Sequence, residues 1–210
     1  MNVESNQIII GSGAEYLYGL IIAMLGRQHI YGIESPSYKK IEQVYRAADV
    51  KYELLPLSHD GIDSTALART RASVIHTTPY RSFPTGITAS ANKRHEYIRW
   101  SSKKGRIIIE DDFESEFSVS PKPKETLYSL SDYDNVIYMN TFSKTISPAL
   151  RVGYMVLSKR LVNDFESKLG FYSCTVPTFE QFVLAQLINS GDFERHINRV
   201  RRSLRKRLYP

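Results

Sequence analysis

A single lysine stands between two apolar runs. Residues 136–139 (Val-Ile-Tyr-Met) are long enough for a buried strand, which stops at Asn140-Thr141. A hydroxyl-rich turn then presents Lys144, Arg151 follows seven residues later, and a second apolar run, 152–157, closes the unit. Core strands on either side would give the lysine low-dielectric walls, and burial disfavours its charged form. A neutral amine is a nucleophile toward carbonyl carbon. The hydroxyls of Thr141 and Ser143 and the guanidinium of Arg151 are groups a phosphate needs close by. Spacing alone does not separate this reading from a solvated loop lysine beside a surface arginine, since short motifs also match by accident.

Three other stretches carry usable groups. Gly11-Ser12-Gly13-Ala14 lies between a short apolar strand, 7–10, and a helix reaching residue 25. Strand, glycine turn and helix N-terminus together make an anion site, although a simple tight turn accounts for the same residues. Asp111-Asp112 ends the apolar strand 106–110, and the carboxyl ends of strands are where open α/β sheets bind ligands. Clustered acids are otherwise usually just solvated. Tyr38 follows the strand 30–34; its flat ring suits a flat ligand, or the packing of a helix start.

The elements that must position these groups alternate. Strand-like segments at 7–10, 30–34, 51–55, 73–76, 106–110, 136–139 and 152–157 are interleaved with helical segments at 14–25, 37–48, 63–70, 90–103, 159–169, 178–189 and 193–208. That order predicts an α/β fold: a mostly parallel seven-stranded sheet with helices on both faces. A turn is expected at His59-Asp60-Gly61, and a long polar surface loop over 118–135, which contains Pro121 and Pro123.

Composition sets limits. The 210 residues, 42% hydrophobic and 11% aromatic, can fill one sizeable core. One cysteine, Cys174, excludes an internal disulfide framework. With no apolar run long enough to span a bilayer and no N-terminal leader pattern, a cytoplasmic protein without a membrane role is expected. The net charge of +6 is a C-terminal property: residues 195–210 hold seven basic residues and no acidic one, and the rest of the chain has 21 basic against 22 acidic. The helical spacing of Ile197, Val200, Leu204 and Leu208 predicts one buried stripe on the last helix. Its other face is basic, but it lacks the aromatic interleaving or motif of a nucleic-acid reader, so direct DNA contact by it is not expected.

The wording of residues 141–154, TFSKTISPALRVGY, resembles the Schiff-base segment of fold type I pyridoxal 5'-phosphate (PLP) enzymes, the class I/II aminotransferases. It is most similar to the version in MocR-type regulators of the GntR family, whose effector domain has an aminotransferase fold; the EDDFESEF run supports that branch. The resemblance implies that Lys144 carries PLP as a Schiff base and moves the α-proton of an amino-acid substrate. It also implies that Arg151, Ser12, Gly13 and Ala14, with Thr141 and Ser143 nearby, hold the phosphate. Tyr38 would stack on the ring, and Asp111 (Asp112 as the alternative) would keep the pyridine nitrogen protonated. Lys40 falls where some relatives carry an arginine for a substrate carboxylate. Two departures concern the ring oxygen: Phe83 replaces an asparagine, as in MocR-type domains, and Phe113 replaces a tyrosine.

On this resemblance residues 1–191 are an aminotransferase-like large domain, and residues 192–210 a basic helix leading toward a small C-terminal domain that would begin after Pro210. A complete regulator would also have a winged-helix domain before residue 1, so the chain reads as a fragment whose turnover is not expected without the small domain. The implied partners are an amine or amino acid, a second copy of the chain, and DNA only through the separate winged helix. The implied functions are effector sensing for a transcriptional regulator or, as the alternative, amino-group transfer between an amino acid and a 2-oxo acid.

Overall fold

A computed structural model describes residues 3–112, 115–117 and 125–208, with side chains to residue 206. Phe113 therefore lies outside the described residues. Among the described residues an eight-stranded sheet runs in the order β1-β8-β7-β6-β5-β2-β3-β4. The strands are β1 (Ile8–Gly11), β2 (Ile30–Ser35), β3 (Lys51–Ser58), β4 (Gly61–Ile62), β5 (Val74–Thr77), β6 (Ile107–Asp111), β7 (Val136–Thr141) and β8 (Gly153–Val156). The strands β3, β2, β5, β6 and β7 pair in parallel, while β8 is antiparallel to both β7 and β1. All strands but β8 and β4 therefore end at one edge of the sheet, and the chain re-enters that edge at the start of β8.

The strand count of seven is corrected to eight. The expected turn at 59–61 is the tip of a hairpin, in which β3 runs on through Pro56 and folds back on β4 with Leu57 opposite Ile62 and Ser58 opposite Gly61. The Ser58 hydroxyl closes the tip against Asp60 Oδ1 (3.1 Å) and the Gly61 carbonyl (3.0 Å). Proline inside a strand is tolerated near a sheet edge, where its missing N–H breaks no ladder; the proline hid this continuation.

Residue alternation along the strands makes two cores. On one face Ile109, Ile137 and Met139 meet α1 (Ala14–Leu25), α2 (Lys39–Ala47) and α6 (Lys159–Leu169). On the other, Ile75, Ile108 and Val136 meet α4 (Ala91–Ser101) and α5 (Leu127–Leu130), with α3 (Ser64–Arg69) contributing Leu67. Helix α5 falls inside the segment expected to be loop. Its N-terminus is built on the buried Glu110, whose carboxylate accepts the Leu127 and Tyr128 N–H groups (2.7 and 2.9 Å). Two more helices, α7 (Thr178–Asn189) and α8 (Asp192–Leu208), follow. Among the described residues no helix is long and apolar enough to cross a membrane.

Candidate functional site

The residues singled out from sequence gather at the edge where the parallel strands end. Register shows why: Thr141 of β7 is opposite Gly153 of β8, and Gly153 is opposite Gly11 of β1. Three strand ends thus line up, the lysine turn leaving from one and the glycine turn from another. On the other side of β7, Asp111 is opposite Met139, two residues before Thr141.

The glycine turn and Arg151 are in direct contact. Gly13, at φ +95°, leaves so little room that a Cβ there would lie 2.4 Å from Arg151 Nη2. Arg151 itself is held in the left-handed region (φ 50°, ψ 34°), an uncommon and costly conformation for a side-chain-bearing residue. It sends its guanidinium across to the start of α1, donating to Glu15 Oε2 (2.9 Å) and the Ser12 carbonyl (3.4 Å). The Ser12 N–H is taken by Thr175 Oγ1 at 3.2 Å. Glu15 also receives Lys40 (2.8 Å). Burial pushes the Glu15 carboxyl up, but Lys40, its own backbone amide and Arg151 outweigh burial and hold it at about 2. The result is two cations and a helix N-terminus around one carboxylate. Lys40, expected to face a substrate carboxylate, is engaged at this turn; Tyr38 lies below it, 5.9 Å from Nζ to ring centroid.

Asp111 is the centre of a buried polar chain that sequence reasoning missed. Its Oδ2 accepts the Tyr18 hydroxyl at 2.5 Å and lies 3.3 Å from His76 Nε2. His76 Nδ1 is 3.0 Å from the Tyr45 hydroxyl. With the proton on Nε2, Nδ1 accepts from Tyr45, so the chain runs from tyrosine through imidazole to carboxylate. Burial first, and the Asp111 charge second, push the Tyr18 phenol well above its ordinary value. The signal for His76 was present: it interrupts an otherwise apolar Val-Ile run and sits on the same face as Asp111. Asp112 turns the other way. It accepts Tyr138 (2.9 Å) and the hydroxyl and N–H of Ser115 (2.6 and 3.0 Å), and burial raises its carboxyl.

The lysine itself departs from expectation. Lys144 is exposed, not walled by low dielectric. The turn explains this: the Phe142 carbonyl accepts the N–H groups of Ile146 (2.9 Å) and Ser147 (3.3 Å), which tucks Phe142 and Ile146 against Val152, Val176 and Leu184 and leaves Lys144 near the apex. Beside it, the buried Thr145 hydroxyl has no hydrogen-bond partner among the described residues. Thr141 is buried and Ser143 half-buried. Tyr38 and Phe83 are both exposed and pack edge to face, ring centroids 6.0 Å apart. The loop behind them is pinned by the buried Glu34, which accepts Thr77 and Thr78 hydroxyls (2.5 Å each) and Ser82 (3.0 Å).

Comparison with known proteins adds three findings. Residues 1–209 match the model of the family described as aminotransferase class I and II. The chain is similar to the uncharacterized HTH-type transcriptional regulator YdeL of Bacillus subtilis, 30% identical over 96% of this chain and 43% of that protein. It is also similar to the probable rhizopine catabolism regulatory protein MocR of Rhizobium meliloti, 29% identical over 93% of this chain and 40% of that one. The chain thus spans less than half the length of either regulator. Among solved structures it resembles LysN, the α-aminoadipate aminotransferase of Thermus thermophilus complexed with N-(5'-phosphopyridoxyl)-L-leucine. The TM-score is 0.83 and identity 26%, covering 94% of this chain and 52% of that one.

Proposed function

The chain belongs to the aminotransferase class I and II family, and we propose that it holds pyridoxal 5'-phosphate at Lys144 as the effector-sensing domain of a MocR-type, GntR-family transcriptional regulator. The observation that carries this is the contact of Arg151 with Gly13 at the three aligned strand ends. It places a guanidinium beside the N-terminus of α1, where an anion is favoured, at the sheet edge that also carries the exposed Lys144.

The residues present fit the group. Ala14 and Arg151 would hold the phosphate, the guanidinium exchanging Glu15 for it, with Ser12, Gly13, Thr141 and Ser143 beside it; the Ser12 and Gly13 N–H groups are given to Thr175 Oγ1 and the Gly11 carbonyl. The orphaned Thr145 hydroxyl is a further donor at this end. Both hydrogen bonds to Asp111 among the described residues fall on Oδ2, and its carboxylate would hold a protonated ring nitrogen. Tyr38, backed by Phe83, would cover the ring. The cofactor supplies an aldehyde carbon and an electron-withdrawing ring. Lys144 would hold the cofactor through its amine and, for an amino-acid ligand, would serve as a base for the α-proton. Tyr18, His76 and Tyr45 fix Asp111 in place and satisfy its buried charge. Sensing needs only binding that shifts a conformational balance, not turnover.

The ligand would be an amine or amino acid, DNA would be contacted through a separate winged-helix domain, and the unit would act as a homodimer. The exposed Phe171, Tyr172, Phe179 and Phe182 provide apolar surface for a second copy. The structural likeness to an aminotransferase favours a second reading, amino-group transfer between an amino acid and a 2-oxo acid. One experiment addresses the shared premise: incubation with PLP, borohydride reduction and peptide mapping should place a pyridoxyl label on Lys144 and lose it in Lys144→Ala. Label elsewhere, or none, defeats both readings. Keto-acid formation by the full-length protein would favour the enzyme, and an effector-dependent change in its promoter binding the regulator.

A further inference from the structure

Helix α8 is fastened to both ends of the lysine turn, through contacts of three kinds. His196 Nε2 donates to the Thr145 carbonyl at 2.9 Å, next to Lys144 in the chain. Phe193, one turn earlier on the same face, meets Phe142 edge to face with centroids 5.7 Å apart; Phe142 is the residue whose carbonyl closes the turn. Farther along, the Arg201 guanidinium donates to the Glu116 carbonyl. Glu116 Oε1 in turn accepts Asn140 Nδ2 (2.7 Å), and Asn140 Oδ1 accepts the Thr141 N–H (2.6 Å). Asn140 is fully enclosed and Ile197 buried, while the His196 and Arg201 bonds are half-buried.

We propose that His196 and Arg201 are positioning residues for Lys144, and that α8 thereby registers what Lys144 has bound. The inference rests on the reading of Lys144 as the cofactor lysine. Its physical basis is that the turn, with Lys144 at its exposed apex, is closed by two hydrogen bonds of its own and draws the rest of its stiffness from what packs against it. A donor at its trailing end, an aromatic contact under its hub and a polar chain to its leading end restrict it from one rigid helix. A shift of the turn on engaging an aldehyde must move α8 or break these contacts, because hydrogen bonds hold only over a narrow range of distance and angle.

The test is amide hydrogen exchange, first without and then with PLP. Without it, His196→Ala should speed exchange of segment 142–147 about fivefold, Arg201→Ala should loosen residues 139–141, and β6 should remain as in the wild type. His196→Gln, whose amide also donates, should restore slow exchange. With PLP, α8 should gain protection in the wild type but not in Lys144→Ala. Unchanged exchange of 142–147 in a folded His196→Ala protein, or failure of glutamine to rescue it, overturns the clamp. Protection of α8 without dependence on Lys144 overturns the coupling. A protein that takes no label at Lys144 refutes the cofactor reading and with it the coupling, while the experiment without PLP still judges the clamp.

Discussion

The Tyr18 hydroxyl and Asp111 Oδ2 lie 2.5 Å apart, deep under the carboxyl edge of the sheet. A helix thus supplies a neutral donor to the carboxylate proposed to meet the cofactor ring. Because the phenol is pushed well above its ordinary value by burial and by Asp111, it stays a donor at any working pH. Removing it in Tyr18→Phe leaves a buried carboxylate with His76 as its remaining partner. The expected cost is ~1–3 kcal/mol in urea unfolding, with weaker PLP binding. A Tyr18→Phe protein as stable as the wild type would show that the bond does not matter.

Arg151 has a separable role. Its side chain is about half exposed (49%), so Arg151→Ala should change stability by less than about 1 kcal/mol. Loss of charge-assisted bonds to a phosphate should cost roughly 1.5–3 kcal/mol of binding, about ten- to hundredfold in PLP affinity. Arg151→Lys should fall between, keeping the charge without the fork. Absorbance titration with PLP checks the order, and equal affinities would remove the phosphate from this turn.

Much of this was legible in the sequence, and the failures have physical causes. The strands β6 and β7 follow from apolar runs that are buried at every position, and α1 and α6 from apolar stretches that pack on the sheet; α7 has its expected length but turns Phe179, Phe182 and Val183 outward and buries Leu184. The hairpin partner β4 was not legible: a two-residue strand has no period. Nor was α5, whose start depends on the remote carboxylate of Glu110. The glycine turn, Lys144, Arg151 and Asp111 could be singled out because each lies in a short motif, and the register of the strands brings them to one edge of the sheet. The chain Tyr18–Asp111–His76–Tyr45 joins four elements through register and burial, which no single stretch contains. The exposure of Lys144 was misjudged for the same reason: flanking strands say nothing about which residues of the turn between them point inward.

Two carboxyls should leave opposite marks on the pH dependence of stability. Burial lifts Glu110 from 4.5 to about 7, against the bonds from Tyr80, Leu127 and Tyr128 that lower it. Its contribution is therefore complete below 4.5 and is lost as pH rises through 7. Glu15, held at about 2, contributes above 4.5 and loses that contribution as pH falls through 2. Urea midpoints across this range should show Glu110→Gln flattening the neutral limb and Glu15→Gln the acid limb. The reverse assignment, or no change in either limb, would contradict the placement of these groups.

The face of α7 gives the last expectation. Phe179 and Phe182 are 74% and 62% exposed, although helical spacing puts them on one stripe with Val183. Burying a phenylalanine is worth ~1.5–3 kcal/mol, so a second copy covering this stripe and its equivalent would gain several such increments. Because the side chain is exposed, Phe182→Glu should leave the monomer fold intact, as judged by circular dichroism and urea midpoint. In an interface it would bury an unpaired charge against apolar surface, which is costly. Sedimentation equilibrium should therefore find a dimer for the wild type and a monomer for Phe182→Glu. A wild type that is monomeric at every concentration, or a variant that still dimerises, would mean that the stripe is not where two copies meet.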